Sequence, residues 1–220
     1  MSKQLHACIV LDRSGSMEDC RTDAIGAVNS YLRQTKADAS VDARISLIIF
    51  DSQSIDVIRD RAPAQSCAEL QPDEYQPRAS TPLLDAVGHG VALLDKGTDS
   101  NERRVLAIMT DGLENASREY TKETIKALLD RKQKEDGWLI LYLGADHDAW
   151  LQARSLGLSA GNVASFDKRA AVASMRSMKS REARYMASAS PQMEAMSGGF
   201  TDDERADMIS DQPPKSTKKN

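Results

Sequence analysis

The sequence predicts an α/β fold: a doubly wound, mostly parallel sheet of about six strands, with one antiparallel edge strand and helices on both faces. Three observations carry this expectation. Short, wholly apolar runs alternate with helical patterns, and all but one of the links between runs are long enough to cross over the sheet. The 220 residues, 40% hydrophobic and 28% charged, suffice for one sizeable core. Runs that are apolar at every position mark strands covered on both faces, as parallel strands are.

The first strand is LHACIVLD, residues 5–12, followed by a helical face of Ile25, Val28 and Leu32. RISLIIF at 44–50 is the second strand. SIDVIRD at 54–60 comes too soon after it for a crossover, so it reads as the antiparallel hairpin partner at the edge. Leu84, Val87, Val91 and Leu94 then share one helical face, ahead of the strand RRVLAIMTD at 103–111. Ile125, Leu128 and Leu129 mark the next helix, WLILYLGAD at 138–146 the next strand, and NVASF at 162–166 a short sixth.

A basic helix begins near Lys168, with Arg169, Arg176, Lys179, Arg181 and Arg184 read as a solvated face, or else as a docking surface for a partner or the acidic tail, and Met175 and Met178 as core filling. From Ser188 the periodicity stops. The expected organisation is one domain over 1–187 and a flexible polar tail over 188–220. Thr201 and Glu204 have capping-box spacing, which predicts a short helix near 202–209 inside that tail.

Composition excludes several classes. A net charge of −4 and 5% aromatic residues argue against a nucleic-acid binder. Cys8, Cys20 and Cys67 are odd in number and lack C-x-x-C spacing, so neither a disulfide framework nor a zinc site is expected. The first strand starts within a few residues of Met1, and no apolar run approaches the ~18 residues of a membrane span. A cytoplasmic protein is expected.

Chemistry concentrates in IVLDRSGSMED, residues 9–19, where a buried strand ends at Asp12 and Ser14 and Ser16 follow at alternate positions. In a parallel sheet, ligands bind beyond the carboxyl ends of the strands, where connections leave in opposite directions. If the first strand neighbours the 103–111 strand, Asp12 and Asp111 meet there. Alternate residues of an extended loop point the same way, so both serine hydroxyls aim at the same place. In STPLLDAV, residues 80–87, Pro82 suits a helix's first turn and leaves the Thr81 hydroxyl at its mouth. Two carboxylates and three hydroxyls suit a hard divalent ion, Mg2+ or else Mn2+ or Ca2+, which takes oxygen ligands and keeps some water.

Asp12-x-Ser14-x-Ser16, a distant Thr81 followed by PLLDA, and Asp111 in MTDG resemble the metal-ion-dependent adhesion site of von Willebrand factor type A domains. The resemblance runs over about residues 4–187 and includes the order of strands and helices. It implies a metal held directly by the serines and sometimes the threonine, with the aspartates acting mainly through water. The ion then stays electrophilic, and a Glu or Asp of a partner protein completes its shell. Many relatives carry glycine before the threonine, whereas this chain has Arg78-Ala79-Ser80. TDGLENASREYT and GWLILYLGADHDAW further resemble small stand-alone bacterial and phage members, which implies a cytosolic setting.

Arg78, Glu114, Asn115 and His147 are the candidates for the rim. The leading expectation is therefore a non-catalytic, Mg2+-dependent protein-interaction module. One alternative is a metal-dependent hydrolase with His147 or Glu114 as base, and another is an adaptor that binds through its C-terminal tail.

Overall fold

A computed structural model describes residues 3–96, 101–144, 148–167 and 170–209. Six strands form one sheet: β1 (Lys3–Asp12), β2 (Val41–Phe50), β3 (Ile55–Pro63), β4 (Arg103–Thr110), β5 (Leu139–Gly144) and β6 (Val163–Ser165). Their spatial order is β3-β2-β1-β4-β5-β6. Every pairing is parallel except that of β2 with β3, the expected antiparallel edge. Asp51 makes that hairpin: its carboxylate accepts from the Gln53 and Ser54 amides, folding the chain back on itself.

The seven helices among the described residues are α1 (Arg21–Ala37), α2 (Leu83–Asp95), α3 (Lys122–Lys134), α4 (Asp148–Ser155), α5 (Ala171–Ala187), α6 (Pro191–Ser197) and α7 (Asp202–Ile209). The two-residue period of a strand sorts them into layers. Leu5, Ala7, Ile9 and Leu11 of β1 enter one core with α1, α5, α6 and α7. Cys8 and Val10 enter the opposite core with α2, α3 and α4. Helix α4 was not expected; eight residues are too short a window to show a helical period.

The connection leaving β1 runs through α1 to β2, and the one leaving β4 runs through α3 to β5 on the other side. The strand order therefore reverses between β1 and β4, whose carboxyl ends leave a crevice. No helix among the described residues is long and apolar enough to cross a membrane.

Two expectations change at the C-terminal end. Arg181, read as part of a solvated face, is fully buried, and its guanidinium donates to Glu194, both side chain and carbonyl, and to Asn162. Residues 191–209, expected as a flexible tail holding a short helix near 202–209, form α6 and that expected helix, α7, and bury Ala195, Phe200 and Met208 in the α1/α5 core. Thr201 and Glu204 exchange hydrogen bonds as a capping box at the start of α7. Glu204 also pairs with Arg184, and Arg205 donates to carbonyls of residues 160, 161 and 163. These charged anchors carry no apolar periodicity, which is why the segment reads as tail. Residues 210–220, Lys168 and Arg169 lie outside the described residues.

Candidate metal centre

Asp12 is the last residue of β1 and is wholly buried. Its Oδ1 accepts from the Ser14 amide at 2.7 Å and its Oδ2 from the Thr110 hydroxyl at 2.5 Å, while Tyr75 donates to its carbonyl. Burial pushes the Asp12 carboxyl up from 3.8 to about 6; the negative charge of Asp111 adds to this, against the Thr110 and Ser14 donors. A buried acid with a neighbouring acid is an environment that a cation would relieve.

After Asp12 the backbone stays extended through Ser14 and then turns into a 3-10 segment, Gly15–Cys20. The Ser14 and Ser16 hydroxyls lie 3.1 Å apart, and Ser16 donates to Asp111 Oδ1 at 2.6 Å. Asp111 follows β4 directly, so the parallel register of β1 and β4 brings it beside the loop after Asp12.

The third segment, residues 78–81, is zipped to the first. Arg78 N donates to the Arg13 carbonyl at 2.8 Å and Gly15 N to the Ala79 carbonyl at 3.1 Å. Thr81 is held from the far side, its amide donating to Asn115 Oδ1 and its carbonyl accepting from Asn115 N. Thr81 lies just outside α2, which starts at Leu83. A Cβ at Gly112 would stand 2.8 Å from Thr81 Oγ1 and 3.5 Å from Asp12 Oδ2. Both oxygens thus border a space that stays open because residue 112 has no side chain.

All five expected ligands, Asp12, Ser14, Ser16, Thr81 and Asp111, meet at the carboxyl ends of β1 and β4 and the entrance to α2. Among the described residues no group of three or more His, Cys, Asp or Glu side chains is gathered around one point. The donor set is instead two carboxylates and three hydroxyls. All are hard oxygen donors, and the set fits a cation that retains water in its shell.

The rim residues divide. Asn115 is exposed and acts on Thr81 from behind, through the two backbone hydrogen bonds already described. Glu114 faces away from the crevice: its carboxylate accepts from the amides of Leu84, Ala116 and Ser117 and from the Ser117 hydroxyl, capping the start of α2. Arg78 is tied by its guanidinium to Asp51 at 2.9 Å and to Ser54. His147, with Asp146, lies outside the described residues.

Several supporting residues escaped sequence reasoning. Buried Asp51 accepts from Arg13 at 2.7 Å and from Arg78, and Arg13 continues to Asp56, so one carboxylate fixes the loop after Asp12 and the loop before Thr81. The signal was present, since Asp51 follows β2 as Asp111 follows β4. Asp85 in the first turn of α2 accepts three successive amides, Arg118 to Tyr120, and so sets the course of the loop after Asp111. Ala79 adopts a left-handed backbone, φ 59°. That is the conformation glycine favours, at the place where the resemblance leads one to expect glycine.

No protein-family model matches the chain, and no curated protein matches it. Solved structures do. The manganese-loaded TRAP protein of Plasmodium vivax superposes with a TM-score of 0.54 at 14% identity, over 78% of this chain and 71% of that one. A von Willebrand factor type A protein from Catenulispora acidiphila gives 0.61 at 16% identity, over 82% of this chain and 42% of that one. Proximal thread matrix protein 1 from the mussel byssus gives 0.58 at 11% identity, over 80% and 47%. The chain thus spans less than half the length of the last two. With the strand order and crevice described above, these likenesses identify the chain as a protein of the von Willebrand factor type A fold.

Proposed function

We propose that this protein is a divalent-cation-dependent protein-interaction module, in which Asp12, Ser14, Ser16, Thr81 and Asp111 hold Mg2+, or Mn2+ or Ca2+, and a partner's Glu or Asp completes the shell. The carrying observation is the Ser14–Ser16–Asp111 hydrogen-bonded chain beside buried Asp12, across the Gly112 space from Thr81. A bound ion would supply an electrophilic position for a carboxylate oxygen. The chain's own residues supply the rest. Thr110 and the Ser14 amide orient Asp12, Asn115 orients Thr81, and Asp51 pins the two loops through Arg13 and Arg78. The manganese-loaded state of the Plasmodium vivax protein is consistent with this reading.

The non-catalytic reading is favoured over hydrolysis because Glu114, one of the two candidate bases, already accepts four hydrogen bonds from the start of α2 and its own loop. The tail-binding alternative is weakened because Ala195, Phe200 and Met208 of that segment are packed into the core. A cytoplasmic setting is retained from the sequence.

The test is affinity capture from the native source, with wild type and Asp111→Ala, in Mg2+ and in EDTA. Partners retained by wild type only in Mg2+, and lost in Asp111→Ala, support the proposal. The same retained set in all four arms overturns it.

A further inference from the structure

The chain bends at Asp111 and Gly112, directly after β4, and the hydroxyl of Thr110 sits at the base of the bend. Thr110 is buried, and its one hydroxyl hydrogen has two acceptors in reach: Asp12 Oδ2 at 2.5 Å and the Gly112 carbonyl at 3.2 Å. The same hydroxyl oxygen accepts from the Gly112 amide at 3.0 Å, so the bend and the Asp12 carboxylate are tied to one atom. A hydrogen drawn toward Gly112 is a hydrogen taken from Asp12.

Gln152 of α4, forty residues further along the chain, bears on that competition. Its Nε2 donates to the Gly112 carbonyl at 3.2 Å and to the Tyr142 hydroxyl at 2.7 Å, and its Oε1 accepts from the Glu114 amide at 2.8 Å. Both amide hydrogens and the amide oxygen are thus engaged. Turned over, the side chain would set its oxygen against the Gly112 carbonyl and its NH2 against the Glu114 amide hydrogen, so one orientation satisfies its neighbours. Among the described residues, Thr110 and Gln152 are the two side chains that donate to the Gly112 carbonyl.

We propose that Gln152 is a positioning residue of the candidate metal centre: by supplying the Gly112 carbonyl with a donor, it leaves the Thr110 hydrogen to Asp12 Oδ2 and holds the bend on which Asp111 stands. Without that donor the Gly112 carbonyl either shares the Thr110 hydrogen or swings toward water, because an unmet acceptor there is costly. Both responses act through the Thr110 hydroxyl, and both disturb Asp12 and Asp111 together. The effect on ion binding rests on the interaction-module reading above; the effect on Asp12 is read without metal.

The experiment compares four full-length proteins: wild type, Gln152→Met, Thr110→Val and the double variant. Gln152 is only partly buried, and Met matches its length, suits a helix and carries no donor. Amide hydrogen exchange is followed by NMR in EDTA, and Mg2+ affinity is measured by calorimetry. The Ser14 amide, which donates to Asp12 Oδ1, is expected to exchange about tenfold faster in Gln152→Met, while the amides of Ala7 to Leu11 in β1 keep their wild-type rates. Mg2+ affinity is expected to fall about tenfold or more, the usual consequence of losing a group that orients a ligand. Thr110→Val is expected to show both effects, and the double variant to be no worse than Thr110→Val alone, since the two side chains act through one hydroxyl.

A wild-type Ser14 rate in Gln152→Met, or additive losses in the double variant, overturns the positioning role. Faster exchange throughout β1 would make Gln152 a general support of the fold and overturns it as well. Faster exchange confined to Ser14, with no Mg2+ bound by wild type or any variant, supports the role toward Asp12 and overturns the metal reading, so the two failures are distinct. Equal Mg2+ affinity in wild type and Gln152→Met overturns the role toward the ion and leaves the metal reading standing.

Discussion

Ser16 donates its hydroxyl hydrogen to Asp111 Oδ1 across 2.6 Å, joining residues 95 apart in the chain. The contact exists because β1 and β4 are parallel neighbours whose carboxyl ends coincide. It also indicates what a cation would change. Both oxygens are good ligands for a hard ion, and the proton between them would turn outward when one binds.

Asp12 makes the site sensitive to pH. Its carboxyl sits at about 6 in the fold against an ordinary 3.8, so the folded state holds the proton more tightly than the unfolded one. The metal-free fold therefore has this contribution in full below about pH 4 and loses up to ~3 kcal/mol as pH rises through about 6. Urea unfolding in EDTA checks this, with Asp12→Asn expected to flatten that part of the profile. A bound divalent ion requires the carboxylate, so Mg2+ affinity is expected to fall about tenfold between about pH 7 and pH 5.

Ala79 tests whether the loop before Thr81 is strained. A non-glycine residue at φ 59° costs on the order of 1 kcal/mol. Ala79→Gly relieves that cost but frees the unfolded chain, so a net gain of up to ~1 kcal/mol in urea unfolding is expected. A loss of stability would mean that the Ala79 side chain contributes more than its backbone costs.

Asp51 and Arg78 are partners of unequal weight. Burial opposes the Asp51 charge, yet Arg78, the Gln53 amide, Arg13 and the Ser54 amide outweigh it and hold the carboxyl below its ordinary value, so its contribution is lost as pH falls. Asp51→Ala leaves the buried Arg13 guanidinium short of its main partner, and a loss of about 3–5 kcal/mol is expected. Arg78 is 44% exposed at its side chain, so Arg78→Ala is expected to cost about 1 kcal/mol or less. Chemical denaturation of both variants makes the comparison.

The segment after α5 is expected to behave as part of the fold. Met208→Ala empties a fully buried position and should cost about 2–5 kcal/mol. Gly199→Ala should cost about 1–3 kcal/mol, because its Cβ would meet the Gly161 backbone at 2.7 Å. Thermal unfolding of each checks this, and unchanged midpoints would make the segment an appendage.

Much of this architecture could be read from the sequence, because buried parallel strands are apolar at every position and their ends are marked by Asp12 and Asp111. That Asp12, Ser14, Ser16, Thr81 and Asp111 lie close together was legible for the same reason, these residues falling at element ends. The Arg13–Asp51–Arg78 clamp was not, since a charged pair has no period and Asp51 sits one residue past its apolar run. Nor was the packing of α6 and α7, whose anchors are Glu194, Glu204 and Arg205 with a few scattered apolar residues. Nor were the hydrogen bonds of Glu114 to the start of α2, because proximity to Asp111 in sequence does not tell which way a carboxylate turns.

The most direct test of the central claim is calorimetric titration of Mg2+ and Mn2+ into wild type and Ser16→Ala. Ser16 is exposed and should change stability by only about 0.5 kcal/mol or less, so a folded variant is expected. Single-site binding by wild type that weakens at least about tenfold in Ser16→Ala, each serine oxygen being one of few direct protein ligands, is the predicted result. No heat of binding in wild type at millimolar metal, or equal affinity in the folded variant, would contradict the assignment of this crevice as a metal centre.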